Sequence, residues 1–167
     1  MLNLYVMRHS KSSWNEHNIN DFERPLSKRG SKDIKLIIAF LKKKKITFDL
    51  ACVSSSKRTK QTFKILKNNI SCKKIIYAKK FYLCNESFIL NTIRKTKKKN
   101  KNILIVNHEP CCKNLVLKLI KKNKLSFLNK KFSTSAIAKL VFSIEDWENL
   151  KNYSGNLTLF KTPKDFY

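Results

Sequence analysis

The sequence predicts an α/β fold, a three-layer αβα sandwich around a mostly parallel central sheet. Two observations point there. Short apolar runs alternate along the chain with segments whose apolar residues recur at helical spacing. That alternation of strand and helix places helices on both faces of one sheet.

The elements follow in order. Asn3 to Met7 (NLYVM) is the first strand, and a polar loop from Ser10 to Arg29, containing Trp14, Phe22 and Pro25, leads away from it. Gly30 opens a helix to about Lys43, with Ile34, Ile37, Ile38 and Leu41 on one face. Asp49 to Val53 is the second strand, and Ser54 to Ser56 offer an N-cap for a helix to about Leu66. Lys74 to Tyr77 is a short strand, and Glu86 to Lys98 is a helix with Phe88, Ile89, Leu90 and Ile93 near one side. Asn102 to Val106 (NILIV) is a buried strand, followed by a helix from Pro110 to Ile120 with proline in its first turn. Ala136 to Phe142 and Leu157 to Phe160 are the last two strands. No segment repeats and no low-complexity linker divides the chain, so residues 1–167 read as one domain.

Composition narrows the class. Hydrophobic residues make up 42% of 167, enough for a real core. No apolar run approaches the ~18 residues of a membrane span, and no basic leader precedes the first strand. The expectation is a cytoplasmic protein that uses no membrane. Five cysteines (Cys52, Cys72, Cys84, Cys111, Cys112) include no CxxC pair and leave one unpaired, which argues for reduced thiols and against a zinc site. Cys111 and Cys112 read as buried packing residues under a helix. Nothing resembling a heptad demands assembly, so a monomer is expected.

The net charge of +26 suggests nucleic acid. However, lysine, asparagine and isoleucine dominate while glycine (2) and proline (3) are scarce, which is the composition of an A/T-rich coding sequence. The charge is therefore as readily mutational bias as function, and no specific nucleic-acid partner is assigned. Against that bias the retained arginines carry information, because a planar guanidinium makes paired hydrogen bonds to a phosphate or carboxylate that an ammonium cannot. Arg8 follows the first strand, Arg58 follows the second, and Arg24 lies in the loop between the first strand and first helix. Arg94, beside Lys95, Lys97 and Lys98, reads as a solvated face; Arg29, near a helix start, is open to either reading.

The chain has three histidines, and two of them, His9 and His108, directly follow predicted buried strands. Strand C-termini line the ligand crevice of an open α/β sheet, so both imidazoles are expected in one site. Either alone would be an ordinary polar residue at a strand exit. His17, near Trp14, reads as a surface residue at the rim.

These segments together resemble a known family. LYVMRHS is similar to the first-strand signature of the histidine phosphatase superfamily, whose usual motif is Arg-His-Gly. SSSKRTKQT (Ser54 to Thr62) resembles its second arginine motif, and IVNHEP its second histidine motif. DFERPLSKRG (Asp21 to Gly30), FSTSAIAKLVF (Phe132 to Phe142) and GNLTLFKTPKDF (Gly155 to Phe166) are similar to the small SixA-type phosphohistidine phosphatases. The resemblance covers nearly the whole chain. It implies the histidine phosphatase (phosphoglycerate mutase-like) fold and a phosphatase that needs no metal or other cofactor.

By that resemblance His9 is the nucleophile, Arg8, Arg58 and His108 hold the phosphoryl oxygens, and Arg24 is a further phosphate ligand. The substrate it implies is phosphohistidine in a phosphotransfer or signalling protein. Glu86 is the candidate general acid, with a helix-dipole carboxylate as its equally available reading. A small-molecule phosphomonoesterase acting on a phosphorylated metabolite, a mutase on the same scaffold, and a basic nucleic-acid-binding protein with relic motifs are the alternatives. Two departures stand out: Ser10 occupies the usual glycine position, and Asn107 and Glu109 flank His108 where glycine and asparagine are frequent.

Overall fold

A run of apolar residues with no polar alternation must be covered on both faces, and this is where the first strand sits. In a computed structural model, which describes residues 1–15, 18–121 and 129–167, β1 (Leu2–Arg8) lies inside a six-stranded sheet. The other strands are β2 (Phe48–Ser54), β3 (Cys72–Ala78), β4 (Asn102–Asn107), β5 (Ile137–Phe142) and β6 (Asn156–Lys161), in the order β3-β2-β4-β1-β5-β6. The first four strands are mutually parallel. Strand β5 runs antiparallel to β1, and β6 antiparallel to β5, so the sheet is mixed rather than uniformly parallel.

Helices cover both faces, as expected. Leu4 and Val6 of β1 face α3 (Glu86–Arg94) and α4 (Cys111–Leu119), packing with Ile89, Ile93, Leu115, Val116 and Trp147. Tyr5 and Met7 face the other way, against α1 (Lys28–Lys43) and α2 (Lys57–Lys67), packing with Ile34, Ile37, Leu41, Phe63 and Leu66. Fully burying each such aliphatic or aromatic side chain contributes about 1.5–3 kcal/mol. No helix among the described residues is long and apolar enough to cross a membrane.

Several boundaries differ from expectation for identifiable reasons. Helix α1 begins at Lys28 rather than Gly30, because Ser27 is the N-cap and its hydroxyl accepts from Gly30 N at 3.0 Å. Helix α3 stops at Arg94, four residues short of Lys98, since no apolar residue follows Ile93 at helical spacing to hold a further turn. Arg94 is a correction as well: it is half-buried, and its Nε donates to Leu150 O at 3.0 Å, tying α3 to a later loop. Arg29 is largely exposed and faces Asp33 one turn on, at 3.7 Å. Cys111 and Cys112 are buried in the first turn of α4. His17 lies outside the described residues.

The loop after β1 is pinned onto α1. Lys11 O accepts from Ser27 N at 2.9 Å and from Ser27 Oγ at 3.0 Å, and Ser13 N donates to Pro25 O at 2.8 Å. Gly30 makes this approach possible: a Cβ there would overlap Lys11 O and lie 2.9 Å from Lys11 N. Gly30→Ala is therefore expected to destabilise the protein by about 1–3 kcal/mol, the usual cost of forcing an atom into a filled site. A urea-denaturation midpoint equal to wild type would contradict this packing.

Candidate functional site

The register of two neighbouring strands builds the site. Strands β1 and β4 are parallel with Arg8 opposite Asn107, so the next residues, His9 and His108, emerge side by side. Their ring centroids are 4.9 Å apart, and His9 N donates to Asn107 O at 2.9 Å. Strand β2, on the far side of β4, ends at Ser54, and α2 starts three residues later with Arg58 in its first turn. His9, Arg58 and His108 are each less than a tenth exposed.

The hydrogen bonds fix both tautomers. His9 Nδ1 lies 2.7 Å from Ser10 O. A carbonyl only accepts, so Nδ1 carries the proton and Nε2 presents a lone pair. Arg58 Nε donates toward that Nε2 at 3.4 Å. Arg58 Nη2 lies 3.4 Å from His108 Nδ1, which must accept because a guanidinium only donates. His108 Nε2 therefore holds its proton and donates to Ser54 Oγ at 2.9 Å, with Thr59 Oγ1 at 3.3 Å and Ser56 Oγ at 3.4 Å close by. This corrects the expected role of Ser56: it precedes α2 as the cap residue, but its hydroxyl makes no capping bond and turns into the site, bonding Thr59 Oγ1 at 2.6 Å.

Arg8 Nη1 donates to Phe132 O at 2.9 Å, while its buried Nε has no partner among the described residues. A buried N–H left unsatisfied is costly, which marks Nε as a donor available to an anion. Ser10, in the position where glycine is usual, does not have a positive φ. Its N donates to Thr62 Oγ1 at 3.0 Å, and its hydroxyl shares a 2.6 Å bond with Ser135 Oγ, so the serine is accommodated. Asn107 Oδ1 accepts from His108 N at 2.9 Å, and Glu109 Oε1 accepts from Lys113 N at 3.0 Å.

Two expected residues have other engagements. Arg24 is buried, with Nε on Ser13 O at 3.2 Å, Nη1 on Asp21 Oδ1 at 2.9 Å and Nη2 on Ser12 Oγ at 2.7 Å; Trp14 stacks over its guanidinium at 3.2 Å. Each of its nitrogens thus ties the loop together. Glu86 is the first residue of α3 and lines a cavity of about 220 Å³ that His108, Asn107 and Glu109 also line. Its carboxylate faces Lys118 Nζ at 3.4 Å. A larger cavity, about 590 Å³, sits at the lysine-rich end of α3 and contains none of these residues.

Sequence reasoning missed Asp21 and Tyr82. Asp21 Oδ2 accepts from Arg58 Nη2 at 2.8 Å and from Tyr82 Oη at 2.7 Å, and Asp21 O accepts from Arg58 Nη1. The available signal was an acidic residue in the same short polar loop as Arg24. No cluster of histidine, cysteine or carboxylate groups suited to a metal occurs among the described residues.

Burial, helped by the neighbouring charges, keeps both imidazoles neutral. Burial, then the neighbouring His108, lowers the pKa of His9 from 6.5 to about 3. Burial, then Arg58, lowers that of His108 from 6.5 to about 3. Burial alone would raise Asp21, but hydrogen bonds from Tyr82, Arg58 and Arg24 hold it well below the usual carboxylate range. The sign of the pH dependence follows. Between about pH 6.5 and 3 the unfolded chain binds protons at His9 and His108 that the folded chain does not, so their contribution to stability is complete above pH 6.5 and is lost as pH falls. The urea midpoint is expected to drop between pH 7.5 and 5, and the drop to be smaller in His108→Asn. An equal drop in both proteins would contradict the assignment.

Residues 4–81 match the model of the Histidine phosphatase superfamily (branch 1). No curated protein matches the sequence. Among solved structures the fold is similar to the protein histidine phosphatase SixA complexed with tungstate: TM-score 0.83, 20% identity, covering 99% of this chain and 100% of that one. It is similar to a candidate phosphohistidine phosphatase SixA from Agrobacterium tumefaciens, with TM-score 0.83, 21% identity and coverage of 97% and 98%. It is also similar, less closely, to the phosphoserine phosphatase of Entamoeba histolytica, with TM-score 0.65, 15% identity and full coverage of both chains.

Proposed function

We propose, from the premise that the chain has the histidine phosphatase fold and carries that superfamily's pattern over residues 4–81, that it is a metal-independent phosphatase working through a phosphohistidine intermediate on His9. The observation that carries this reading is the state of His9. Its Nδ1 proton is held by Ser10 O, and its unprotonated Nε2 points at the site beside Arg58 Nε. A neutral imidazole so oriented is a competent nucleophile near pH 7.

The steps follow from the donors present. His9 Nε2 attacks phosphorus in line with the leaving group, forming the P–N bond as the bond to the leaving atom breaks. Arg8 and Arg58 meet the phosphoryl oxygens, and such transfer depends mainly on positioning and charge stabilisation. Burial, then Arg58, holds His108 neutral in the free site; the phosphate dianion offsets the guanidinium, so His108 takes a proton from solvent at Nδ1 and becomes a further donor. Water then attacks phosphorus, releasing orthophosphate and restoring His9.

The substrate is assigned as phosphohistidine on a protein. A phosphorylated imidazole already has a labile P–N bond and demands little of a general acid, whereas an alkyl ester demands more. The candidate acid Glu86 faces Lys118, and Asp21 is bound by Arg58 and Arg24. The test is dephosphorylation of a phosphohistidine-bearing phosphotransfer domain in EDTA, with a phosphoserine ester as second substrate and Glu86→Gln alongside wild type. The expected result is turnover of the phosphohistidine, at least tenfold slower hydrolysis of the ester, and little effect of Glu86→Gln. Preferential hydrolysis of the ester, abolished in Glu86→Gln, would replace this reading with a phosphomonoesterase.

A further inference from the structure

The guanidinium of Arg58 has two usable edges, and the structure divides them. On the end formed by Nη1 and Nη2, both donors go to one residue: Nη1 to Asp21 O, and Nη2 to Asp21 Oδ2 at 2.8 Å. The side formed by Nε and Nη2 faces the two imidazoles, with Nε 3.4 Å from His9 Nε2 and Nη2 3.4 Å from His108 Nδ1. Asp21 thus grips the edge turned away from the reacting atoms and leaves the edge turned toward them.

Asp21 is in turn fixed from two directions. Tyr82 Oη donates to Oδ2 at 2.7 Å, and Arg24 Nη1 donates to Oδ1 at 2.9 Å. The Tyr82 ring stands edge-on to His108, at 5.4 Å, and to Phe22, at 5.0 Å. Arg24 is held by Ser12, Ser13 and Trp14. The Asp21 side chain is half-exposed while that of Arg58 is buried, so the pair joins the site's mouth to its floor.

We infer that Asp21, keyed by Tyr82 and Arg24, is a positioning residue that clamps the Arg58 guanidinium so that its Nε–Nη2 edge meets the phosphoryl oxygens. The inference rests on the proposed phosphatase reading for its kinetic consequence, but not for its effect on oxyanion binding. It also gives Arg24 a role that needs no contact with phosphate. A guanidinium on a flexible stem has many rotamers, and a pre-set one spends less binding energy on ordering. Misplacement on the scale of an ångström typically costs about 10²-fold in rate.

The test is a double-mutant cycle with Asp21→Ala, Arg58→Ala and the double variant, read by kcat/KM on phosphohistidine protein and by tungstate affinity in calorimetry. Asp21→Ala is expected to lower kcat/KM roughly 10- to 100-fold and to weaken tungstate about tenfold or more. In the Arg58→Ala background the same change is expected to cost less than about threefold, because the clamp has nothing to hold. Asp21→Asn, which keeps an acceptor oxygen for Nη2, is expected to recover part of both losses, and Tyr82→Phe to weaken tungstate with Arg58 intact. Equal losses with and without Arg58, or tungstate bound more tightly by Asp21→Ala, would overturn the clamp. Wild type that binds tungstate but turns over no substrate would remove the phosphatase reading and leave the clamp to be judged by the affinity cycle. Wild type that binds no tungstate would overturn both.

Discussion

His9→Ala is expected to reduce phosphohistidine turnover by roughly 10⁴-fold or more, the order of loss when a covalent nucleophile is removed from a preorganised site. The physical reason is local. His9 Nε2 is the unprotonated nitrogen directed at the reacting position, and its partner nitrogen is committed to Ser10 O. His108 is oriented differently: its Nε2 proton goes to Ser54 Oγ, and its Nδ1 accepts from Arg58 Nη2. The variant should still fold, since alanine leaves β1 and its pairing to β4 untouched. It should also still bind tungstate, since Arg8 and Arg58 remain. Single-turnover kinetics beside a calorimetric titration separate the two effects. Activity within tenfold of wild type would exclude His9 as nucleophile.

Arg58→Lys is expected to cost about 10²–10³ in kcat, the usual loss of one preorganised donor to developing charge. Lysine keeps the charge but presents a single ammonium, so it cannot hold Asp21 with one edge and the substrate with another. The loss should fall on kcat rather than on KM alone, because the interaction strengthens as charge spreads over the transferring phosphoryl oxygens. A lysine variant within threefold of wild type would mean that net charge, not the guanidinium edge, is what the site needs.

What the sequence revealed follows physical lines. The runs ending at Met7 and Val106 are apolar throughout because both faces of β1 and β4 are covered, and that pattern also located His9 and His108. Arg8 and Arg58 stood out because arginine is scarce beside lysine in this chain and both follow buried strands. Strand direction was less visible: an apolar run reads the same either way, so the antiparallel β5 and β6 emerged only from their pairing. The same limit applies to contacts distant in sequence. Tyr82 meets Asp21 across 61 residues, and Ser54 meets His108 across 54, and neither spacing leaves a periodic trace. Arg24 was recognisable as an unusual arginine, but its commitment to Ser12, Ser13 and Asp21 depends on how the loop folds back. Asp21 looked like one more polar loop residue until the strand ends and the first turn of α2 were placed around it.

A phosphoryl group carried on His9 can be trapped by rapid quench of the protein mixed with a phosphohistidine domain in EDTA, under alkaline conditions that preserve P–N bonds, followed by peptide mass spectrometry. A phosphoryl group is expected on His9 that forms and decays within one turnover and is missing in His9→Ala. Full single-turnover hydrolysis with no phosphorylated His9 at any time, or phosphate found on His108 instead, would contradict it.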